Sequence, residues 1–423
     1  MLNFFTSRKI KETSDVAKSQ SFCMIPWVHL YLNTQGKVTP CCISPWSEEI
    51  ELGDINKKPL DTIWNDAPMK KLRSNMLKDK KNAGCWQCYL NEENGLKSKR
   101  LLSNQLYQHK FDWVKSTQKN GFAPDSKPIY WDIRISNLCN FKCRICGHHS
   151  SSKLYDEAKE LGTLSFDERV HYSINDLDDV LEQLDPYFSE LEEIYFAGGE
   201  PLIMPEHYRI LDLLIRKGKK DIKLRYATNF TQHEFKGKSI FELWNQFEDV
   251  YVYASLDGSY KRGEYQRKGQ NWKNVLENKK RLTKECPHVK FLITPTISVF
   301  NIQHLPSFHK EWVTLGLIEA DDMMPHVLKN PDIYDIRILP SSIKKRVEKD
   351  YTEHLIWLNS FNEKGLLKLE MVKQEFESCI QYMWSKDQSQ LQEKFKANCE
   401  KLDKMRKERT LDVFPELSEI LET

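Results

Sequence analysis

From Ile129 to Val299 the chain alternates short apolar stretches with amphipathic ones, and no other feature restricts its fold as much. Five stretches have the β-branched and aromatic content of strands: "IYWDIRIS", "LEEIYFA", "IKLRYATNFT", "DVYVYAS" and "VKFLITPTISV". Between them, Lys153–Leu161, Ile174–Leu184, "HYRILDLLIRKG", Ile240–Gln246 and Trp272–Leu282 have helical spacing. Strands joined through helices pair in parallel, because a parallel connection needs a long crossover. The expected fold class is α/β, with a partial (β/α)6 barrel of TIM type over residues 128–335.

The flanks differ. Residues 1–21 are polar after the first five and are expected to be a flexible leader. Residues 22–105 suggest a small module: an alternating stretch Val28–Leu32, turn residues Asn33–Gly36, a return strand, then short helices with apolar positions Ile63, Met69, Leu72 and Met76. Residues 106–127 form the expected linker, ending in the Gly- and Pro-containing "NGFAPDSKP". Residues 336–423 are charge-rich and helical, and their basic run "EKLDKMRKERT" is expected to be a solvated helix face.

A chain of 423 residues has room for two or three domains. Its net charge of +2, from 63 basic and 61 acidic residues, gives no case for nucleic acid or an anionic membrane. No apolar run is long enough to span a bilayer, and the N-terminus lacks a signal-peptide core, so the cytoplasm is the expected location. Eleven cysteines in that compartment point away from disulfides. Cys286, Cys379 and Cys399 stand alone and are expected to be buried thiols, whereas the other eight cluster and suggest metal chemistry.

In a parallel barrel, function collects where strands end. Here "CNFKCRIC" follows the first strand, Gly198-Gly199-Glu200-Pro201 the second and Thr228-Asn229 the third. Ser255-Leu256-Asp257-Gly258 follows the fourth, and Thr296-Ile297-Ser298 closes the fifth. Cys139, Cys143 and Cys146 are spaced so that one tight loop wraps a face of a cubane, giving three thiolates to three irons. A zinc site is the competing reading, with His148 or His149 as a further ligand.

The Cys139-x-x-x-Cys143-x-x-Cys146 loop, with Gly-Gly-Glu-Pro after the next strand, resembles the radical S-adenosylmethionine (SAM) superfamily. The resemblance spans about Pro128 to Gly316 and departs at Ile145, where an aromatic residue is frequent. It implies that the three cysteines hold a 4Fe–4S cluster whose open iron is chelated by SAM. It also implies SAM contacts from Gly198, Gly199, Glu200 and Pro201 to the amino group, from Asn229, Ser255 and Asp257 to the ribose and methionine parts, and from Ile297 beside adenine.

Cys23, Cys41, Cys85 and Cys88, with a G-x-x-x-x-C turn at Gly36, the "IWN" and "LR" of the helices and a closing C-x-x-C, resemble the Twitch module. Twitch is a shortened SPASM domain, and it implies an auxiliary 4Fe–4S cluster on those four cysteines, although the module usually follows the barrel. A four-cysteine zinc site is the alternative. Cys42 is expected to point away from its neighbour, since adjacent strand side chains face opposite ways.

The two resemblances imply an oxidoreductase or maturase in which reductive cleavage of SAM gives a 5′-deoxyadenosyl radical that abstracts hydrogen from a substrate. They imply an external one-electron donor of flavodoxin or ferredoxin type. The substrate would be a ribosomally made peptide or, alternatively, a small alcohol or sugar. A non-enzymatic zinc-binding interaction protein is the reading from a different class. No residue is assigned as catalytic acid or base.

Overall fold

The computed structural model describes residues 13–16, 18–45, 47, 49–93, 97–164 and 166–422. Its strands are β1 (His29–Leu32), β2 (Lys37–Val38), β3 (Gly53–Asp54), β4 (Tyr130–Arg134), β5 (Lys142–Cys143), β6 (Glu193–Ala197), β7 (Lys223–Thr228), β8 (Glu234–Phe235), β9 (Lys238–Ser239), β10 (Asp249–Ala254), β11 (Arg267–Lys268), β12 (Lys290–Ile293), β13 (Thr296–Ile297) and β14 (His326–Val327). The chain divides into two compact units, residues 1–137 with 170–225, and residues 138–169 with 226–423.

In the first unit the sheet runs β7-β6-β4-β1-β2-β3. β4 pairs in parallel with β6 on one side and with β1 on the other, His29 opposite Tyr130 and Leu32 opposite Ile133. The expected hairpin is present as β1 and β2, with Leu32 opposite Val38. Gly36 makes its turn at φ +76°, where a Cβ would lie 2.3 Å from the Ser173 carbonyl oxygen, so only glycine fits. The apolar periodicity at Ile63 to Met76 resolves into helices Leu60–Trp64 and Ala67–Leu77, the second capped by Asp66. Of the expected leader, residues 1–12 and 17 lie outside the described residues, while the Ser19 and Ser21 hydroxyls donate to Asp79.

In the second unit β12, β10 and the end of β7 lie in that order, with β10 and β12 parallel. Pro295 has no N–H to donate, and the fifth strand-like stretch breaks there into β12 and β13. The helices Ser341–Asn359, Leu369–Trp384 and Gln392–Arg406 follow, as the charged periodicity of the C-terminal region predicts.

The mainly parallel α/β sheet agrees with the expected class, and its order ends at β3 and β12 without closing, so it is an open sheet rather than a closed barrel. The strand beside β4 opposite β6 is β1, which comes from the N-terminal cysteine-bearing segment rather than from a sixth strand–helix repeat. A hairpin strand of four residues gives no sequence signal for a parallel neighbour 101 positions along the chain.

Candidate functional site: two cysteine sets

The three-cysteine loop lies in the second unit. Cys139 and Cys143 are buried about Phe141, and Cys146 packs against them. The loop is held at both ends. The Ser151 hydroxyl donates to the Phe141 carbonyl at 2.6 Å, and the Ser152 hydroxyl accepts from the Cys139 amide at 3.3 Å. β5, which carries Cys143, pairs antiparallel with β11 and sets Cys143 opposite Arg267. Arg267 donates to Cys143 Sγ at 3.9 Å, and its guanidinium also grips Asp257, with contacts of 2.7 and 3.1 Å. A hydrogen bond from Cys146 holds the Cys143 thiol below its usual range, helped by the Arg267 charge, while the same bond and burial push Cys146 up.

The expected strand-end contacts of this unit are tied to that loop. Asn229 Nδ2 donates to Asn140 Oδ1 at 2.7 Å, linking the end of β7 to the residue after Cys139. The Asp257 carboxylate, besides meeting Arg267, accepts from the Thr296 amide at 2.8 Å, next to the fully buried Ile297. Ser255 is half-buried, and its amide donates to the Thr228 carbonyl. Gly198–Pro201 belong to the first unit. There Gly198 has φ +113°, a Cβ on it would come within 2.9 Å of Ser136 O, and Glu200 caps its own turn by accepting from the Leu202 amide. His148 packs on Phe166 at 4.3 Å between ring centroids, and the His149 ring folds back over Gly147.

Sequence reasoning misses the side chain inside the motif. Arg144 is fully buried, with its guanidinium 3.8 Å from the Tyr265 ring centroid. It donates to Asp403 at 2.6 Å and to Glu408 at 3.3 Å. Lys142 and Arg406 share Glu157, at 3.2 and 2.7 Å, and Lys268 bonds Glu408 and the Arg406 carbonyl. The run "EKLDKMRKERT" has two faces: Glu400, Lys401, Lys404, Lys407 and Arg409 are exposed as expected, while Asp403 and Glu408 accept from Arg144, Arg406 pairs with Glu157, and Thr410 meets the Tyr265 hydroxyl. Charge composition alone cannot distinguish a solvated run from one whose partners lie over two hundred residues away.

The four-cysteine set lies in the first unit. Cys23, Cys41, Cys85 and Cys88 line one largely apolar cleft with Ile25, Ile43 and Met76. Asn104 brackets Cys23, accepting from the Met24 amide at 2.8 Å and donating to the Phe22 carbonyl at 3.0 Å. Arg100 donates to the same Phe22 carbonyl and is paired with Glu92. Ser44 Oγ lies 3.7 Å from Cys41 Sγ and donates to the Gly84 carbonyl at 2.9 Å, tying the second cysteine to the segment of the third. The helix motifs find their reason in Arg73, buried over Trp64 and donating to the Pro26 and Trp64 carbonyls and to Asn65 Oδ1. Burial raises all four thiols, Cys41 to about 11 and Cys85 to about 12. Cys42 is not among the lining residues of this cleft.

Each set fits the chemistry of an iron–sulfur cluster: three thiols in one loop beside an arginine, and four in an apolar cleft. Among the described residues no group of three or more His, Cys, Asp or Glu is gathered as a single ion would need.

Family comparisons match two stretches of the chain. The radical SAM superfamily model matches residues 133–309, and the model for the SPASM iron–sulfur cluster-binding domain matches residues 23–89. Among solved structures, one of native anSMEcpe with bound AdoMet and Cp18Cys peptide is similar at 19% identity and a TM-score of 0.39. A structure of TYW1 with a lysine-pyruvate adduct bound is similar at 13% identity and a TM-score of 0.28, over 54% of this chain and 70% of that one. The anSMEcpe match covers 56% of this chain and 61% of that one, so the chain spans about six-tenths of the relative's length. No curated protein matches.

The central part of the chain thus belongs to the radical SAM superfamily. With the N-terminal match, the chain carries a radical SAM domain and a SPASM domain, and the cofactors of those domains are SAM, a 4Fe–4S cluster and further iron–sulfur in the SPASM part. Among the described residues no helix is long and apolar enough to cross a membrane.

Proposed function

We propose that Cys139, Cys143 and Cys146 hold the SAM-binding 4Fe–4S cluster, that Cys23, Cys41, Cys85 and Cys88 hold an auxiliary one, and that the enzyme modifies a ribosomally made peptide by oxidation or bond formation. The bound cluster and SAM supply a 5′-deoxyadenosyl radical for hydrogen abstraction. The observation that carries the reading is the tether of the three-cysteine loop to two strand ends, through Asn140 to Asn229 and through Arg267 to Asp257. These links fix the loop against the strand ends expected to bind SAM, so that one set of bonds positions both.

Within this reading Arg267 offsets thiolate charge at Cys143, and Asn229 and Ser255 offer polar groups to the ribose and methionine parts. Asp257 acts through Arg267 and the Thr296 amide. Gly198–Pro201 supply the turn expected to meet the SAM amino group, and Gly198 has no room for a Cβ because its φ is +113° and Ser136 O lies 2.9 Å from where one would be. Four thiols on the auxiliary cluster leave no iron open, which favours electron relay over substrate ligation. The electron comes from an external donor, of flavodoxin or ferredoxin type, and the enzyme works in the cytoplasm.

The test is anaerobic reconstitution with iron and sulfide, followed by dithionite and SAM. The expected outcome is a brown protein with about eight irons per chain that forms 5′-deoxyadenosine. A colourless, zinc-loaded protein forming none overturns it. Turnover of a small alcohol in place of any peptide overturns the substrate class alone.

A further inference from the structure

Parallel sheets are normally apolar on both faces. The sheet of the first unit is apolar on one face only, where Leu30, Trp131, Ile133 and Phe196 are buried. On the other face the register sets Tyr31, Asp132 and Tyr195 in one row and His29, Tyr130 and Glu193 in the next. Arg134 returns to its own strand, pairing with Asp132 at 2.7 and 3.2 Å, and lies over the Tyr31 and Tyr195 rings at 5.6 and 5.2 Å.

Lys99 completes this face. Its ammonium donates to Cys42 Sγ at 3.0 Å and lies 5.8 Å from the Tyr130 ring centroid, and among the described residues it has no carboxylate partner. Glu193 is paired with Arg225 at 3.0 Å, so three cations, Lys99, Arg134 and Arg225, stand against two carboxylates, Asp132 and Glu193, with Lys99 also at the lining of the four-cysteine cleft. A charge taken out of water is costly unless it is paired. Tyr31, Cys42, Lys99, Arg134 and Tyr195 are only half-buried, so the face is reachable.

We propose that this face binds a carboxylate-bearing ligand, with the Lys99 ammonium beside Cys42 taking the carboxylate and the Tyr31–Arg134–Tyr195 stack forming the floor. One unmatched positive charge suits a carboxylate better than a doubly charged phosphate. The proposal rests on the proposed function only in calling that ligand the substrate. It then selects substrates with an acidic side chain or a free C-terminus.

Cys42 serves as a reporter. Iodoacetate and iodoacetamide alkylate the same thiol and differ in carrying a carboxylate or a neutral amide, so the ratio of their rates is independent of the ionisation of Cys42. The reconstituted holoenzyme is treated with each reagent under anaerobic conditions, and the rate at Cys42 is read by peptide mass mapping. The expected result is iodoacetate faster by about tenfold, the worth of one charge-assisted hydrogen bond. Acetate should protect Cys42 saturably, while chloride at equal ionic strength should not. Lys99→Met should abolish the preference and Lys99→Arg should keep it. A wild-type protein that reacts faster with iodoacetamide, a Cys42 that neither reagent reaches, or a preference surviving in Lys99→Met overturns the site. A holoenzyme that makes no 5′-deoxyadenosine yet shows the preference sinks the proposed function and leaves the carboxylate site standing.

Discussion

The cysteine loop of the second unit and the cysteine cleft of the first draw their support from different places. The loop's three cysteines lie within eight residues, yet much of what holds them comes from far along the chain: Arg267, Asp403, Arg406 and Glu408. The cleft's cysteines come from three separate segments, yet their supports, Ser44, Arg100 and Asn104, sit close to them in sequence or bond the adjoining backbone. The electrostatics differ in the same sense. Three cations, Lys142, Arg144 and Arg267, stand in or against the loop, whereas apolar burial dominates the cleft and raises every thiol. A short loop has no core of its own, so charge and distant chain must fix it; a cleft assembled from several segments is fixed by packing.

The largest test of that comparison removes one thiol from each set. Cys143→Ala should abolish 5′-deoxyadenosine formation and remove about half the iron, and Cys85→Ala should remove about the other half while the loop keeps its cluster. Iron and sulfide assays with electron paramagnetic resonance check both. If Cys85→Ala leaves the iron content unchanged, the cleft is not a cluster site.

The next test breaks the imported support. Arg144→Met takes the buried cation from Asp403, which keeps Tyr265 and Thr410, and from Glu408, which keeps Lys268, so the loss falls below the roughly 3–5 kcal/mol of a buried charge left wholly unpaired. Urea unfolding of the second unit should shift accordingly, and the loop should lose iron while the cleft retains it. Arg144→Lys should recover only part, because an ammonium cannot reproduce a planar group stacked on Tyr265. Equal iron loss from both sets would erase the contrast.

Acid should act on the C-terminal docking through Glu416. Burial works to raise this carboxyl, but hydrogen bonds from His304 and Arg262 outweigh it and hold the pKa at about 2. A carboxylate depressed in the folded state stabilises fully above its unfolded pKa, and that stability is lost as pH falls from about 4.5 toward 2. The contribution is on the order of 2 kcal/mol after allowing for partial exposure. Stability measured at pH 7 and pH 3 should differ by less in Glu416→Gln than in the parent; an unchanged difference would remove Glu416 from the docking.

Five strand-like stretches, the hairpin after Cys23 and the C-terminal helices were legible because each is written in local periodicity. The cysteine groupings were legible from spacing, as were the Gly36 turn and the burial of Cys286, Cys379 and Cys399. What was not legible is pairing at long range. β1 beside β4, Arg144 against Asp403 and Arg267 bridging Cys143 to Asp257 each join segments whose own patterns name no partner. Asp257 shows the cost at the site. Its place at a strand end suggests ligand contact, while its hydrogen bonds go to Arg267 and the Thr296 amide.

The smallest test concerns the cleft's local support. Ser44 Oγ reaches both Cys41 Sγ and the Gly84 carbonyl, so it joins the turn after the second cysteine to the turn before the third. Ser44→Ala removes one neutral hydrogen bond and leaves a carbonyl without that partner, a loss of about 1 kcal/mol. The packing of Ile43 and Met76 about the cleft is untouched, so the four thiols should still gather and the auxiliary iron should still load. A melting shift of a few degrees with full iron content is the expected result. Loss of the auxiliary iron in this variant would mean that the cleft, like the loop, depends on single polar ties rather than on packing, and the contrast between the two sets would fail.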